Sequence, residues 1–126
     1  MMILKQTKQG KLPQTDSSGT VISFFAPSEG ERLILKGLST HEVDLGVTVR
    51  LPEDHALIIK VPRALSRAGV SCTDSFISSR GLYKMRVMMR NDSGFDLHVD
   101  PSEPLVQMVL IPRVNLIPAH LKIDAL

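Results

Sequence analysis

Apolar and polar residues alternate along most of this 126-residue chain, and a period of two leaves little room for anything but β-strands. Val43, Leu45, Val47 and Val49 alternate with Asp44, Gly46, Thr48 and Arg50. Side chains at i and i+2 of a strand share a face, so this stretch reads as a half-buried strand. Tyr83, Met85, Val87 and Met89 repeat the pattern against Lys84, Arg86 and Arg90, and Phe95, Leu97 and Val99 repeat it against Asp96, His98 and Asp100. Residues 21–26, 32–36, 56–61 and 105–111 read as further short strands, the last buried on both faces.

Turn chemistry separates these runs: Pro27-Ser28-Glu29-Gly30, Pro52-Glu53-Asp54, Asn91-Asp92-Ser93-Gly94 and Pro101-Ser102-Glu103-Pro104. Proline presets φ, glycine permits positive φ, and Asn or Asp bonds to its own backbone. Strands at this spacing predict an all-β sandwich, jelly roll or barrel. The one helix expected covers residues 63–68, after Pro62 and before Gly69, two turns at most. No repeat, low-complexity tract or boundary splits the chain, whose length suits one domain.

Composition then narrows the function. With 43% hydrophobic and 22% charged residues, this is the composition of an ordinary globular domain. Aromatic residues make up 4% and Trp is absent, which disfavours an aromatic platform for single-stranded nucleic acid. The net charge of +2 is spread along the chain, and its densest part, Lys5, Lys8 and Lys11, reads as a solvated tail rather than a phosphate-binding arm. No nucleic-acid partner is expected. A single cysteine, Cys72, cannot form an intramolecular disulfide. Met1 to Lys5 offers too short an apolar run for a signal peptide, and residues 105–111 fall far short of the ~18–20 that span a bilayer. The expectation is a cytoplasmic or nuclear protein without direct membrane insertion.

Few residue groupings point to chemistry. Asp96, His98 and Asp100 would share one face of a strand and could in principle ligate a metal. A hairpin through the 91–94 turn would instead pair Val87 with Val99 and Met89 with Leu97. Arg90 would then oppose Asp96, and Arg86 would oppose Asp100, as ordinary cross-strand ion pairs. The four histidines lack zinc-type spacing, and no metal or cofactor site is expected. No nucleophile elbow or glycine-rich phosphate loop appears. Met85, Met88 and Met89 read as adaptable core filler.

The order of segments resembles the dUTPase family. Residues 47–63, ending Lys60-Val61-Pro62-Arg63, look like its strand, proline turn and strand leading into a Pro-Arg-Ser-Gly motif. Val87-Met88-Met89-Arg90-Asn91 resembles its Val-Val-Leu-Phe-Asn hairpin, and Leu105-Val106-Gln107-Met108 resembles Ile-Ala-Gln-Leu. The likeness spans residues 19–114. It implies a dUTPase-like β-barrel or jelly roll, a homotrimer, and three parts: a mobile segment 1–18, the β domain 19–114 and a tail 115–126.

The catalytic positions depart from that family. Val21 stands where a carboxylate of the metal network belongs, and Ala64-Leu65 replaces the phosphate-binding Ser-Gly. Ile77-Ser78 with Gly81 replaces the Ile-Asp and Tyr that activate water and stack on the sugar, and the glycine-rich fifth motif has no counterpart. The resemblance therefore implies a vestigial nucleotide pocket around Arg63, Asp74, Ser78 and Gln107, with no catalytic residues and no active dUTP hydrolysis. The competing expectation is an active dUTP diphosphatase that makes dUMP and pyrophosphate with Mg²⁺ through a remodelled site.

One branch of the superfamily is similar over the whole chain: the dUTPase-like proteins encoded first in adenovirus early region four. They share a Phe-Phe-x-Pro pattern, here Phe24-Phe25-Ala26-Pro27, and a final segment resembling Arg113-Val114 through Pro118 to Lys122-Ile123-Asp124-Ala125-Leu126. That resemblance implies a viral early protein in the host cytoplasm, recruited to membranes by partners. Those partners are host PDZ-domain scaffolds and phosphoinositide 3-kinase, with growth or survival signalling as the outcome. Ile123, Asp124, Ala125 and Leu126 are the expected PDZ ligand, with Asp124 at the position where the commonest class has Ser or Thr.

Overall fold

The structure, a computed structural model, describes residues 2–6, 10–27, 33–74, 76–78 and 81–112. Among them, eleven strands and one short helix follow the order β1 (Met2–Gln6), β2 (Gln14–Thr15), β3 (Val21–Phe25), β4 (Ile34–Leu35), β5 (Ser39–Arg50), β6 (His55–Lys60), α1 (Arg63–Arg67), β7 (Val70–Cys72), β8 (Phe76–Ile77), β9 (Leu82–Asn91), β10 (Leu97–His98) and β11 (Pro104–Pro112). A four-stranded sheet runs β1-β5-β9-β7 and a five-stranded sheet runs β2-β3-β11-β6-β8, all pairs antiparallel. A small sheet pairs β10 with β4. None of these orders is cyclic, so among the described residues the sheets are open and form no closed barrel.

The period-two runs face the core as their pattern requires. Val43, Leu45, Val47 and Val49 from β5 and Met85, Val87 and Met89 from β9 meet Ile22, Phe24, Leu57, Val106 and Met108 from the second sheet in one buried cluster. Met85 and Met89 are fully buried, as filler should be, whereas Met88 is only half-buried. β11 lies between β3 and β6, and Leu105, Val106 and Met108 in its first half are buried. Each large aliphatic side chain buried here contributes about 1.5–3 kcal/mol.

Strand β5 carries an irregularity that its alternation conceals. Asp44 pairs with Arg86 but Thr48 pairs with Lys84, so four steps on β5 oppose two on β9. An even excess keeps the inward set inward. Gly46 supplies the positive φ of 73° at this bulge, and its amide donates to Asp44 Oδ1 at 2.8 Å. Gly10 packs against the same point, where a Cβ would lie 2.2 Å from the Gly46 carbonyl oxygen.

Two expectations need correction. The 91–94 turn does not return the chain alongside β9. Both edges of β9 are occupied, by β5 and β7, so the next segment crosses over and pairs Leu97 with Leu35 on β4. The expected Arg90–Asp96 and Arg86–Asp100 pairs therefore do not form. Arg86 instead lies 3.7 Å from Glu42 and 3.8 Å from Asp44, Arg90 binds Asp92, and Asp96 accepts the Gly37 amide at 3.0 Å. Asp96, His98 and Asp100 also lack a shared strand, since β10 covers only Leu97–His98 and Asp100 accepts both donors of Ser102 in the following turn. The second correction is at the N-terminus. Met2–Gln6 pairs with β5 and Gln14–Thr15 pairs with β3, so parts of the segment read as a tail belong to the sheets.

Candidate functional site

Sheet register assembles the most site-like feature among the described residues. Gln107 of β11 pairs with Lys60 of β6 on one side and Ser23 of β3 on the other, and Ser23 pairs in turn with Gln14 of β2. Directly paired residues project from the same face, so Lys60, Gln107, Ser23 and Gln14 form a polar row across four strands. The next row along this face is apolar, because Val109 pairs with Val21. With Thr15 and Asp16 these residues line a groove of about 370 Å³.

Its polar groups are amides, hydroxyls, one ammonium and one carboxylate. Gln107 Nε2 donates to Ser23 Oγ at 3.4 Å, which turns the amide along the row. Asp16 Oδ1 accepts the Ser18 hydroxyl at 2.8 Å, the Thr20 amide at 3.0 Å and the Val21 amide at 3.2 Å. The Ser18 hydroxyl above all, and then the Val21 amide, hold this carboxyl below its ordinary range. Among the described residues, no three His, Cys, Asp or Glu side chains converge as metal ligands would.

The four residues expected in a vestigial nucleotide pocket are dispersed within one chain. Gln107 lies in the groove. Arg63 is exposed at the start of α1, and Asp74 is half-buried just after β7, where its Oδ2 accepts the Met88 amide at 3.3 Å. Ser78 is exposed just after β8, two strands and about four residues from Gln107 in the register, roughly 16 Å by strand spacing and rise. The expected PDZ ligand, Ile123 to Leu126, lies outside the described residues.

Lys60, Ser23, Gln14, Thr15 and Asp16 are groove residues that sequence reasoning missed. Lys60 and Ser23 sat in expected strands, but nothing in the sequence pairs β11 with both β3 and β6. Gln14 and Thr15 form a strand of two residues, too short to leave a periodic signal.

A serine and a histidine also meet elsewhere. Ser39 Oγ lies 2.9 Å from His41 Nε2. This is not an activated nucleophile. The same Nε2 accepts the Lys36 amide at 3.0 Å, and Ser39 Oγ donates to the Lys36 carbonyl at 2.7 Å. The imidazole lone pair is engaged by backbone and unavailable as a base for the hydroxyl.

No family model matches the sequence, and no curated protein matches it. Solved structures do match the fold. The Staphylococcus bacteriophage 80alpha dUTPase with dUpNHpp superposes with a TM-score of 0.79 at 12% identity, covering 99% of this chain and 88% of that one. The dUTPase of S. aureus phage phi11 gives 0.75 at 12% identity over 98% and 96% of the two chains. The EIAV dUTPase gives 0.74 at 10% identity over 98% and 97%. The chain has a dUTPase-like all-β fold.

That fold raises the question of a divalent cation, since the phi11 enzyme coordinates a structural Mg²⁺. The groove does not fit one. Mg²⁺ takes oxygen ligands in near-octahedral geometry. Here Val21 and Val109 offer none, Asp16 is the one carboxylate and its Oδ1 already accepts three protein donors, the other lining oxygens are neutral amides and hydroxyls, and Lys60 brings a competing positive charge.

Proposed function

We propose that this chain is a non-catalytic viral early protein that uses a dUTPase-like scaffold to bind host signalling proteins. The observation that carries the reading is the paired Val21–Val109 wall beside Gln107 and Lys60. By resemblance, Val21 replaces a carboxylate of the metal network, and an isopropyl group cannot coordinate an ion. Triphosphate hydrolysis needs positioned water and a cation to carry developing charge. Ser78 is a poor general base, and Asp74 Oδ2 already accepts the Met88 amide of β9. Signalling by this fold has a parallel: phage dUTPases control transfer of virulence genes by a proto-oncogenic G protein-like mechanism.

In this reading the β domain of residues 19–114 is the scaffold and the tail of residues 115–126 carries the linear motif. Ile123 to Leu126 adds as a strand to a host PDZ domain, with Leu126 in the apolar pocket and its carboxylate on backbone amides. Asp124 selects domains that present a hydroxyl or a basic group. Phosphoinositide 3-kinase is the second host partner, and recruitment by partners brings the protein from the cytoplasm to membranes. The scaffold is a homotrimer. Supporting this, the outer face of the five-stranded sheet carries an apolar line through Val21, Val109, Ile58 and Phe76, directly paired across four strands. Ile58 is 39% exposed and Phe76 is 59% exposed, as a covered interface requires of the separate chain.

The test has two arms. Pyrophosphate release from dUTP with Mg²⁺ is expected to be absent. Saturable turnover abolished by Asp74→Asn or Ser78→Ala would overturn the non-catalytic reading. Pull-down on a PDZ-domain panel is expected to succeed with the intact chain and to fail when Leu126 is deleted. Equal retention of both forms, or of neither, removes the motif.

A further inference from the structure

We infer that His41 is an acid-responsive latch that controls the turn presenting Leu38 and Phe95. The turn between β4 and β5 is held at four points. Gly37 donates to Asp96 Oδ1 at 3.0 Å, and Leu38 donates to the Ser93 carbonyl at 3.0 Å. Ser39 Oγ donates to the Lys36 carbonyl at 2.7 Å, and the Lys36 amide donates to His41 Nε2 at 3.0 Å. Three of these acceptors are oxygens that keep their role at any mild pH. The fourth is an imidazole nitrogen, which accepts only while it is unprotonated.

The last bond fixes the neutral tautomer, with the proton on Nδ1. Protonation puts a hydrogen on Nε2, so two N–H groups then face each other and the Lys36 amide must leave. An alternative acceptor is already in place: Ser39 Oγ, 2.9 Å from Nε2, can accept the new N–H while still donating to the Lys36 carbonyl. The proton comes from solvent and remains on the ring. Both arrangements satisfy His41, and only the neutral one satisfies Lys36. That makes the element bistable.

The turn is not an idle one. Leu38 has φ 56°, a conformation unfavourable for a branched non-glycine residue, and its side chain is 66% exposed. Beside it, Phe95 is 82% exposed. Gly37 joins the two loops, since a Cβ there would lie 2.9 Å from the Gly94 carbonyl carbon and 3.0 Å from the Phe95 nitrogen. Losing the Lys36 bond removes one of the four ties on the turn that carries the strained Leu38. The titratable group on the same sheet face is Cys72 of β7, which pairs with Met89 opposite His41, whereas Glu42 and Arg90 lie on the other face; Lys36 is in the turn, Asp92 follows β9, and Asp96 and His98 lie beyond it. Arg90 and Asp92 bind each other, and Asp96 is held by Gly37.

The experiment is a pH titration of the isotopically labelled full chain by NMR from pH 8 to pH 5. At pH 8 the ring spectrum should show His41 protonated on Nδ1. On acidification the Lys36, Leu38 and Phe95 amides should titrate together with the His41 ring. Protection of the Lys36 amide from exchange should fall about threefold to tenfold, the worth of one net hydrogen bond. His41→Gln retains an acceptor that does not titrate, so its turn amides should stay fixed, whereas His98→Gln should titrate like the natural chain. A proton on Nε2 at pH 8, or turn amides that still titrate in His41→Gln, would overturn the inference.

Discussion

Asn91 is the one polar residue among the described core that has no exposed surface, and its replacement should be disproportionately costly. An amide side chain has two donor hydrogens and two acceptor lone pairs. Here Nδ2 donates to the Leu35 carbonyl at 2.8 Å and to the Phe95 carbonyl at 2.8 Å, while Oδ1 accepts the Ser93 amide at 3.0 Å and the Ser93 hydroxyl at 2.7 Å. Asn91→Ala deletes all four bonds. At about 0.5–1.5 kcal/mol each, with the exposed end of the turn regaining water, the expected loss is about 3 kcal/mol. For a chain of this size that lowers the melting temperature by roughly 10–15 °C. Asn91→Asp keeps the shape and the acceptor but turns an oxygen toward two carbonyls. Burial and those carbonyls disfavour the charged form, so the folded carboxyl titrates above its unfolded range near ~3.9. A raised folded value means the contribution is fully present below that range and is lost as pH rises through the folded value. The Asp variant should therefore lag the natural chain least at pH 4 and most at pH 8. Urea unfolding at fixed protein concentration across that range is the assay. A lag that does not change with pH, or an Ala variant within about 1 kcal/mol of the natural chain, would refute this account of the residue.

Three other outcomes are expected. Gly10→Ala forces a Cβ to 2.2 Å from the Gly46 carbonyl oxygen, backbone against backbone, and should lower stability by about 1–3 kcal/mol or more in thermal melting. Burial, and then repulsion from the Asp74 carboxylate, push the Cys72 thiol up, so its alkylation at pH 8 should be slower than that of a free cysteine peptide and should quicken in Asp74→Asn. The same sign means that Cys72 favours folding below the unfolded thiol range near ~8.5 and that this contribution fades above it. Ile58→Ser with Phe76→Ser removes half of the apolar line on the outer sheet face and should shift sedimentation from trimer toward monomer while leaving the β-type circular dichroism spectrum unchanged.

The strands legible in the sequence were those whose faces differ. Val43 to Val49 and Tyr83 to Met89 sort into inside and outside except at Gly46, which is buried at the bulge, and the apolar residues they point inward lie in or against the observed core. What escaped was pairing. The 91–94 cluster carries every local mark of a hairpin turn, yet β9 already has β5 and β7 on its two edges, a fact about distant segments. Asn91 is the hinge of that error: its side chain is buried under the turn and ties it to Leu35, so the chain leaves toward β4. Val70–Cys72 escaped because three residues after a helix carry no period. The same limit applies to the groove. Gln107 was legible as a motif residue, but its neighbours Ser23 and Lys60 come from strands about 80 and 50 positions away, brought together only by register.

The register also decides which β3 side chains reach the groove. Val21 is placed by its strand partners. It pairs directly with Val109, two residues from Gln107 on β11, while Ser23 pairs with Gln107 itself. A slip of one residue in β3 would turn Ile22 and Phe24 out of the core, where they are 4% and 1% exposed, and would turn Val21 and Ser23 inward. Burial therefore fixes which β3 side chains face the groove, without reference to any relative. Those side chains are an isopropyl group and a hydroxyl, beside an amide and an ammonium. Such a set can hold a polar or anionic group by hydrogen bonds from Lys60, Gln107 and Ser23.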